Sequence, residues 1–402
     1  MPAESIDPTF DVLVLGAGAA GLMAAIEAAR RGRRTLLLDH ADKIGKKILI
    51  SGGGRCNFTN TGCTPENYLS ENPHFARSAL ARYTPADFIA KVEAHAIPFH
   101  EKTLGQLFCD RTARDIVSML ERECVDTGVR IQLETSVTSV TRAATGDFVI
   151  VTDAGTFSAQ AVIVATGGLS IPKMGATGFG YDLARQFGLK IVEPRPGLVP
   201  LVFSGADKAA WCDLSGLSTE VVASAPARKK APLFREKLLV THRGLSGPAG
   251  LQISSYWSPG EAIALDLAPN RQVFTWMLGG DGARDLSAAA GSIRSLLPAR
   301  LAERWLQLNA PRNQRVFSNA AIEEMEQQIH RWELVPAGTE GYEKAEVTAG
   351  GIDTAELDPR SLEARKVPGL YFIGEVVDVT GWLGGYNFQW AWASGFCAGS
   401  VA

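Results

Sequence analysis

The chain has 402 residues, 46% of them hydrophobic, which is enough material for a large core spread over two or three domains. A net charge of −3 with both signs scattered argues against a nucleic-acid partner, while small polyanions stay open through local sites. The opening Met1-Pro-Ala-Glu-Ser-Ile-Asp7 lacks the basic and apolar segments of a secretory leader, and the apolar runs are short, so a cytoplasmic protein that does not enter the membrane is expected.

In chain order, Asp11-Val-Leu-Val-Leu15 has strand length and is followed by Gly16-Ala-Gly18-Ala-Ala-Gly21, then by Leu22, Met23, Ile26 and Ala29 at helical spacing. Gly16 permits the turn, Gly18 lets backbone approach a pyrophosphate, and Gly21 lets helix pack on strand. The helix start then offers its free N–H groups and dipole to the phosphates. A second strand, Thr35-Leu-Leu-Leu-Asp39, ends in an acid eighteen residues after Gly21, placed to accept from ribose hydroxyls and to repel a 2′-phosphate. A second glycine-rich loop follows at once, Ser51-Gly-Gly-Gly-Arg-Cys-Asn57.

Helices are expected near Asn72 to Arg82, from Thr84 with Pro85 in the first turn, and from Arg111 to Thr127. Strands are expected at Val129 to Leu133, Phe148 to Thr152 and Ala161 to Ala165, the last feeding Thr166-Gly167-Gly168. A helix from Tyr181 returns to Gly188, and Glu193-Pro-Arg-Pro-Gly then breaks the pattern, which sets a boundary near residue 192. Residues 193–275 read as strand-rich and 284–333 as helical, an insert of a small β-barrel carrying a helical subdomain. The cluster Arg228-Lys-Lys230 between Pro226 and Pro232 reads as a solvated hairpin tip. Near Thr348-Ala-Gly-Gly351 the chain returns to the first domain, adding a strand Gly369 to Ile373 capped by Gly374-Glu375 and a last helix opened by Gly384-Gly385-Tyr386-Asn387.

A long cofactor accounts for this arrangement better than NAD. Glu375 can hydrogen-bond ribityl hydroxyls, and the helix from Asn387 can aim its N–H groups at a flavin ring, an interaction worth up to about 2 kcal/mol or roughly 40 mV of potential. Gly279-Gly-Asp-Gly282 lacks the strand and acid of a second dinucleotide unit, so NAD(P)H would bind only transiently over the flavin. The six cysteines form no C-x-x-C pair, no metal site is expected, and the Cys56 to Cys63 spacing matches neither a zinc nor a thioredoxin pattern.

The segments Gly45 to Asn60, Ala165-Thr-Gly-Gly168 with Pro172-Lys173, Thr241-His-Arg-Gly-Leu-Ser-Gly-Pro248 and Val347-Thr-Ala-Gly-Gly351 resemble the YhiN-like (BaiN-like) bacterial flavoproteins over nearly the whole chain. The resemblance implies an α/β fold, a glutathione-reductase-type Rossmann-like FAD-binding domain over 1–192 and 347–402. Its insert at 193–346 would place a β-barrel at about 193–275 and 334–346 and a helical subdomain at about 276–333. It implies an NAD(P)/FAD-dependent oxidoreductase, with members similar to aminoacetone oxidases and to reductases of unsaturated bile acid intermediates.

Carried over to matching positions, it implies FAD contacts from Gly16, Gly18, Ala20, Gly21 and Asp39, and from Lys47, Gly53, Gly54, Arg55, Cys56 and Asn57. It adds Ala165, Thr166 and Gly167, Gly374 and Glu375, then Gly385, Tyr386, Asn387 and Gln389, with the backbone of Val137 at the adenine edge. Two departures stand out: Asp39 where many members carry Glu, and Leu383 where many carry Thr.

Lys173 could stabilise an anionic substrate or reduced ring, His242 could donate a proton, and Trp382, Trp390 and Trp392 could wall an apolar pocket. Each also has a plainer reading as a surface lysine, a loop histidine and core tryptophans. The leading expectation is hydride transfer between a small organic substrate and flavin, with NAD(P)H or oxygen as second partner. The alternatives are a flavin-dependent RNA-modifying enzyme, against which the balanced charge speaks, and a non-catalytic flavin-binding redox sensor. The oligomeric state is left open.

Overall fold

The structure, a computed structural model, describes residues 9–279, 282–312 and 315–402. The leader reading at Met1 to Asp7 and the centre of the Gly279 to Gly282 segment lie outside the described residues. The chain divides into two compact units, Met1–Arg195 with Val347–Ala402, and Pro196–Glu346.

In the first unit, β1 (Phe10–Leu15), α1 (Ala19–Arg30), β2 (Thr35–Leu38), α2 (Arg114–Thr127), β3 (Arg130–Gln132), β4 (Val137–Arg142), β5 (Phe148–Thr152) and β6 (Gly155–Val164) follow one another. They build a seven-stranded sheet in the order β3-β2-β1-β6-β5-β4, with Leu370–Phe372 also paired to β6. β6 is long because it serves two purposes: its first half pairs antiparallel with β5, and its second half runs parallel to both β1 and Leu370–Phe372. Val12 to Leu15 are at most 2% exposed. A parallel strand covered on both faces carries an unbroken apolar run rather than an alternating one.

The C-terminal helix, Tyr386–Gly399, packs on α1 through glycine. A Cβ added at Gly395 would stand 2.5 Å from the Ala20 carbonyl oxygen, and one at Gly399 would stand 2.4 Å from that of Ala24. Since both contacts advance together along the two chains, the helices run in the same sense. The C-terminal helix begins nine residues before its contact with the start of α1, so it projects about 14 Å beyond α1 at 1.5 Å per residue.

Two expectations are corrected here. Glu193-Pro-Arg-Pro does not break the chain but lies within a strand, Ile191–Gly197, paired with Val347–Ile352 in a two-stranded sheet. With one neighbouring strand, the missing proline donors can face away from the ladder. The helix expected from Asn72 forms only over Arg77–Arg82. Downstream, Pro85–Ala94 starts on Thr84, whose side chain accepts from the Asp87 N–H.

The second unit holds β7 (Leu201–Val202), β8 (Ser218–Ser224), β9 (Phe234–Val240), β10 (Gly244–Ser246), α3 (Gly247–Ser254), β11 (Ile263–Asp266), then helices α4 (Leu286–Arg294), α5 (Ala299–Asn309) and α6 (Asn319–His330), and last β12 (Trp332–Leu334) and β13 (Gly338–Thr339). Its seven strands pair in the order β12-β11-β8-β9-β10-β7-β13. The two edge strands are consecutive in sequence. Seven flat strands would separate their edges by about 29 Å, whereas the four residue steps from Leu334 to Gly338 reach about 14 Å. The sheet must therefore curl until its edges approach, giving a barrel-like form bridged by the chain. The helix α3 is absent from the strand-rich reading because Gly247, at φ 76, and Pro248 look like turn residues, yet Pro248 occupies the first turn.

His330 closes α6 between Asp266 (Nδ1 to Oδ1, 2.8 Å) and Glu326 (Nε2 to Oε1, 3.2 Å). Burial works against its protonation, but hydrogen bonds and charge from Asp266 and then Glu326 prevail and raise its pKa above the ordinary 6.5. The resulting stabilisation is complete below pH 6.5 and is lost as pH rises through the raised folded value. His330→Gln should accordingly flatten the decline of the urea midpoint on the alkaline side of neutrality; an unchanged pH profile would exclude this linkage.

Glycine context gives a paired test. Gly395→Ala gains up to about 1 kcal/mol of helix propensity but meets backbone, so a net loss of about 1–3 kcal/mol is expected in urea denaturation. Gly291→Ala in α4, where a Cβ meets nothing within 4 Å, should instead stabilise by up to about 1 kcal/mol.

Candidate functional site

The dinucleotide turn is built by contacts that only glycine allows. A Cβ at Gly16 (φ 108) would lie 2.5 Å from the Ala165 carbonyl oxygen, and one at Gly21 would lie 1.8 Å from that of Gly16. At Gly18 it would meet nothing within 4 Å, so the space before α1 is open, and α1 has no side-chain cap. An uncapped helix start of this kind is an anion site in waiting.

Asp39 ends β2 with its side chain 15% exposed. Its Oδ2 accepts from the Ala17 N–H at 2.6 Å and its Oδ1 from the Ala41 N–H at 2.8 Å. A carboxylate has roughly four acceptor positions, so two remain for ribose hydroxyls. The N–H of Thr135 donates to the Asp39 carbonyl, which brings the segment leading to Val137 beside the same strand end.

The second loop is tied to the first by the Gly45 N–H, which donates to the Ala17 carbonyl at 2.8 Å. Gly52, Gly53 and Gly54 are all left-handed, and Cβ atoms at Gly53 and Gly54 would again meet nothing within 4 Å, as at Gly167. Arg55 is exposed beside them. Cys56 is fully buried at φ 50, and burial drives its thiol far above the ordinary range despite a hydrogen bond from Ser51. Burial likewise pushes the Cys63 thiol up to about 11, against the opposing effect of the Tyr68 hydroxyl. Both remain free thiols, and neither is activated.

Behind this loop lies a polar network. Lys47 Nζ donates to Glu375 Oε2 and to Ser170 Oγ, both at 2.6 Å. Glu375 Oε1 accepts from Ser170 Oγ at 2.9 Å and from the Thr348 N–H at 2.8 Å, while Thr348 Oγ1 accepts from the N–H groups of Leu169 and Ser170. Ser170 and Thr348 were missed as site residues by sequence reasoning. Nothing local in the sequence signals their pairing, which spans 178 positions.

The third wall is the start of the C-terminal helix. Gly384 and Gly385 are left-handed, and a Cβ at Gly385 would stand 2.4 Å from the Thr59 carbonyl oxygen. The helix has no side-chain cap. Asn387 uses its amide on Gly381 N and O, and Gln389, fully buried, accepts from Thr59 and donates to the Tyr83 carbonyl. At both positions the side chain is engaged within the protein, and the Gln389 N–H donates to the Gly385 carbonyl at 3.0 Å. Gly374 packs against Ala20, and Thr166 has its hydroxyl buried against Gly180. Trp390 and Trp392 are core residues donating to the Gly374 and Phe58 carbonyls, so only half-buried Trp382, edge-on to Tyr386, is placed to line a pocket.

Lys173 is exposed in the turn Pro172–Met174, directly after Ile171, a β-branched residue at φ 57. His242 belongs to the second unit, exposed at an open depression of 510 Å³ with Lys208, Cys212 and Asp213. Among the described residues no group of three or more His, Cys, Asp or Glu could hold a metal, and no helix is long and apolar enough to cross a membrane.

Two bare helix starts, open glycine cradles and a strand-end acid fit an extended dinucleotide carrying a flavin. Residues 10–401 match the family described as HI0933-like protein Rossmann domain. The chain belongs to this family. As an HI0933-like protein it is a flavin-dependent oxidoreductase that binds FAD. It is 49% identical to a ribosomal RNA dihydrouridine synthase of Escherichia coli over 97% of both chains. It is 32% identical to a 3-dehydro-bile acid delta(4,6)-reductase of Clostridium scindens, over 97% of this chain and 98% of that one. A solved 3-ketosteroid-delta4-(5alpha)-dehydrogenase from Rhodococcus jostii shares the fold at TM-score 0.51 and 15% identity, covering 99% of this chain and 98% of that one.

For this HI0933-like chain, Asp39→Ala strands the Ala17 and Ala41 backbone donors and would remove the expected ribose contact. It should release FAD at least tenfold faster in dialysis and lower the unfolding free energy by about 1–3 kcal/mol. Retention equal to the parent would remove Asp39 from the cofactor site.

Proposed function

We propose that this HI0933-like flavoprotein reduces uridine to dihydrouridine in ribosomal RNA, with NAD(P)H as the electron source. The observation that carries the reading is the 49% identity, sustained over 97% of both chains, to the Escherichia coli protein of that name. A Haemophilus influenzae protein of the same name, 46% identical over 97% of this chain, supports it further. The more distant bile acid reductase bears a name that specifies the same elementary chemistry, saturation of a carbon–carbon double bond conjugated to a carbonyl. In uracil that bond is C5=C6, conjugated to the C4 carbonyl, and its reduction adds one hydride and one proton.

FAD, when bound, supplies the hydride. The chain's own part is to orient and to manage charge: Lys47, Ser170 and Glu375 fix the loops around the cofactor, and Lys173 offers a cation to the oxygen on which negative charge develops. We assign substrate selection to the insert at residues 193–346 and the cofactor to the remainder. A cytoplasmic location goes with a ribosomal substrate. The balanced whole-chain charge does not weigh against RNA, because a sum over 402 residues is silent about any one surface.

The test is direct. Yellow purified protein, releasing FAD on denaturation, is incubated anaerobically with NADH or NADPH and an unmodified transcript of ribosomal RNA, and nucleosides are analysed by mass. Dihydrouridine should appear at a discrete position. If the pyridine nucleotides bleach the flavin yet only small enones reoxidise it, the substrate is a small molecule and the RNA reading falls.

A further inference from the structure

The β8–β9 hairpin concentrates charge in a way the whole-chain balance hides. Residues 218–243 contain six cations, Arg228, Lys229, Lys230, Arg235, Lys237 and Arg243, against two acids, Glu220 and Glu236. The strand alternation sorts them. Phe234, Leu238 and Val240 are buried, and Glu236 points to the same inner face, where Gln252 of α3 donates to it at 3.0 Å. Glu236 is thus withdrawn from the outer face, and burial raises its pKa against the effect of the Gln252 bond.

Arg235 and Lys237 stand on the outer face, both exposed, about 7 Å apart at strand rise, close to the step between successive phosphates of an RNA strand. Glu220 pairs with Arg235 at 2.8 Å and lies opposite Lys237 in register, and Arg243 pairs with Glu340 at 3.1 Å. Lys229, Lys230 and Lys237 have no ion-pair partner among the described residues. At the tip, Lys229 and Lys230 lie between Pro226 and Pro232, a 70% exposed Leu233 follows, and Arg228 is half-buried against Ser258.

We propose that the outer face and tip of the β8–β9 hairpin form the surface on which this chain holds the phosphate backbone of folded ribosomal RNA. Seven strand residues span about 24 Å, so the cations run along a track far longer than a mononucleotide and suited to a polyanion. A membrane surface would call for an apolar face beside the charge, and the hairpin exposes one large apolar side chain, Leu233. The proposal rests on the RNA reading above. It adds a docking site in the second unit, separate from the FAD-binding residues of the first.

The FAD-loaded protein and a variant carrying R228Q, K229Q, K230Q and K237Q are titrated with an unmodified ribosomal RNA transcript over a salt series, and dihydrouridine formation is measured alongside. Each lost phosphate contact lowers the slope of log affinity against log salt by about 0.7–0.9. The variant should lose about 3–4 of slope and at least tenfold in affinity, with unchanged FAD content and unchanged bleaching by NADPH. A control with K102Q, R122Q, R130Q and K190Q, the same charge removed from the first unit, should retain parental binding. Equal losses in both variants, or equal binding and equal dihydrouridine formation by parent and hairpin variant, would overturn the docking site and leave the RNA reading standing. A parent protein that neither binds the transcript nor forms dihydrouridine would overturn both. Binding to phosphatidylglycerol vesicles as tight as to RNA, and lost in the hairpin variant, would reassign the surface to a lipid and overturn the proposal.

Discussion

The close approach of the C-terminal helix to α1 is the contact on which the site depends. Gly395 and Gly399 bring two backbones together where any side chain would collide with the Ala20 and Ala24 carbonyls. Because the helices run in the same sense and are offset by about 14 Å, two uncapped N-termini face the same side of the sheet at two depths. One lies beside the dinucleotide turn, and the other lies farther out beside the strand Asn57–Asn60. A ligand with a pyrophosphate at one end and an electron-accepting ring at the other meets a positive helix end at each. Parallel dipoles side by side repel weakly, and the burial of Trp390, Trp392 and their neighbours is what holds them there.

The polar network of Lys47, Ser170, Thr348 and Glu375 performs the complementary task. It joins four segments that are remote in sequence and shares one carboxylate among an ammonium, a hydroxyl and a backbone N–H. Glu375 is 20% exposed and Lys47 38%, so the network borders the open cradle rather than hiding beneath it. It can fix loop positions while keeping oxygen and nitrogen atoms available to a ligand.

Legibility in the sequence followed the range of the interactions. The turn from Gly16 to Gly21 and the acid Asp39 were readable because strand, turn and helix are contiguous, even though the contact that demands glycine at position 16 comes from Ala165. The strand Ile191–Gly197 was not, since its prolines are tolerated only because a partner strand arrives from residues 347–352. Ser170 and Thr348 were invisible for the same reason. Gln389 and Asn387 were legible as positions but not as orientations: their side chains turn inward, a choice made by Thr59, Tyr83 and Gly381, which no pattern near residue 387 announces. The hairpin lysines were seen and read as mere solvation, because net charge sums away the alternation that sends Glu236 inward and Lys237 outward.

The helix over residues 386–399 is made long after α1, the element it covers. Until residues 386–399 emerge, the apolar surface of α1 that receives them has no cover, and the 151 residues of the second unit are synthesised in between. The nascent chain therefore carries an unfinished cofactor domain through the folding of an entire insert, a vectorial order in which the second unit can become independent first. Cofactor capture then waits on residues 386–399, and a chain broken off before them is left with an open apolar face, which favours its clearance by quality control over its persistence as a half-active enzyme.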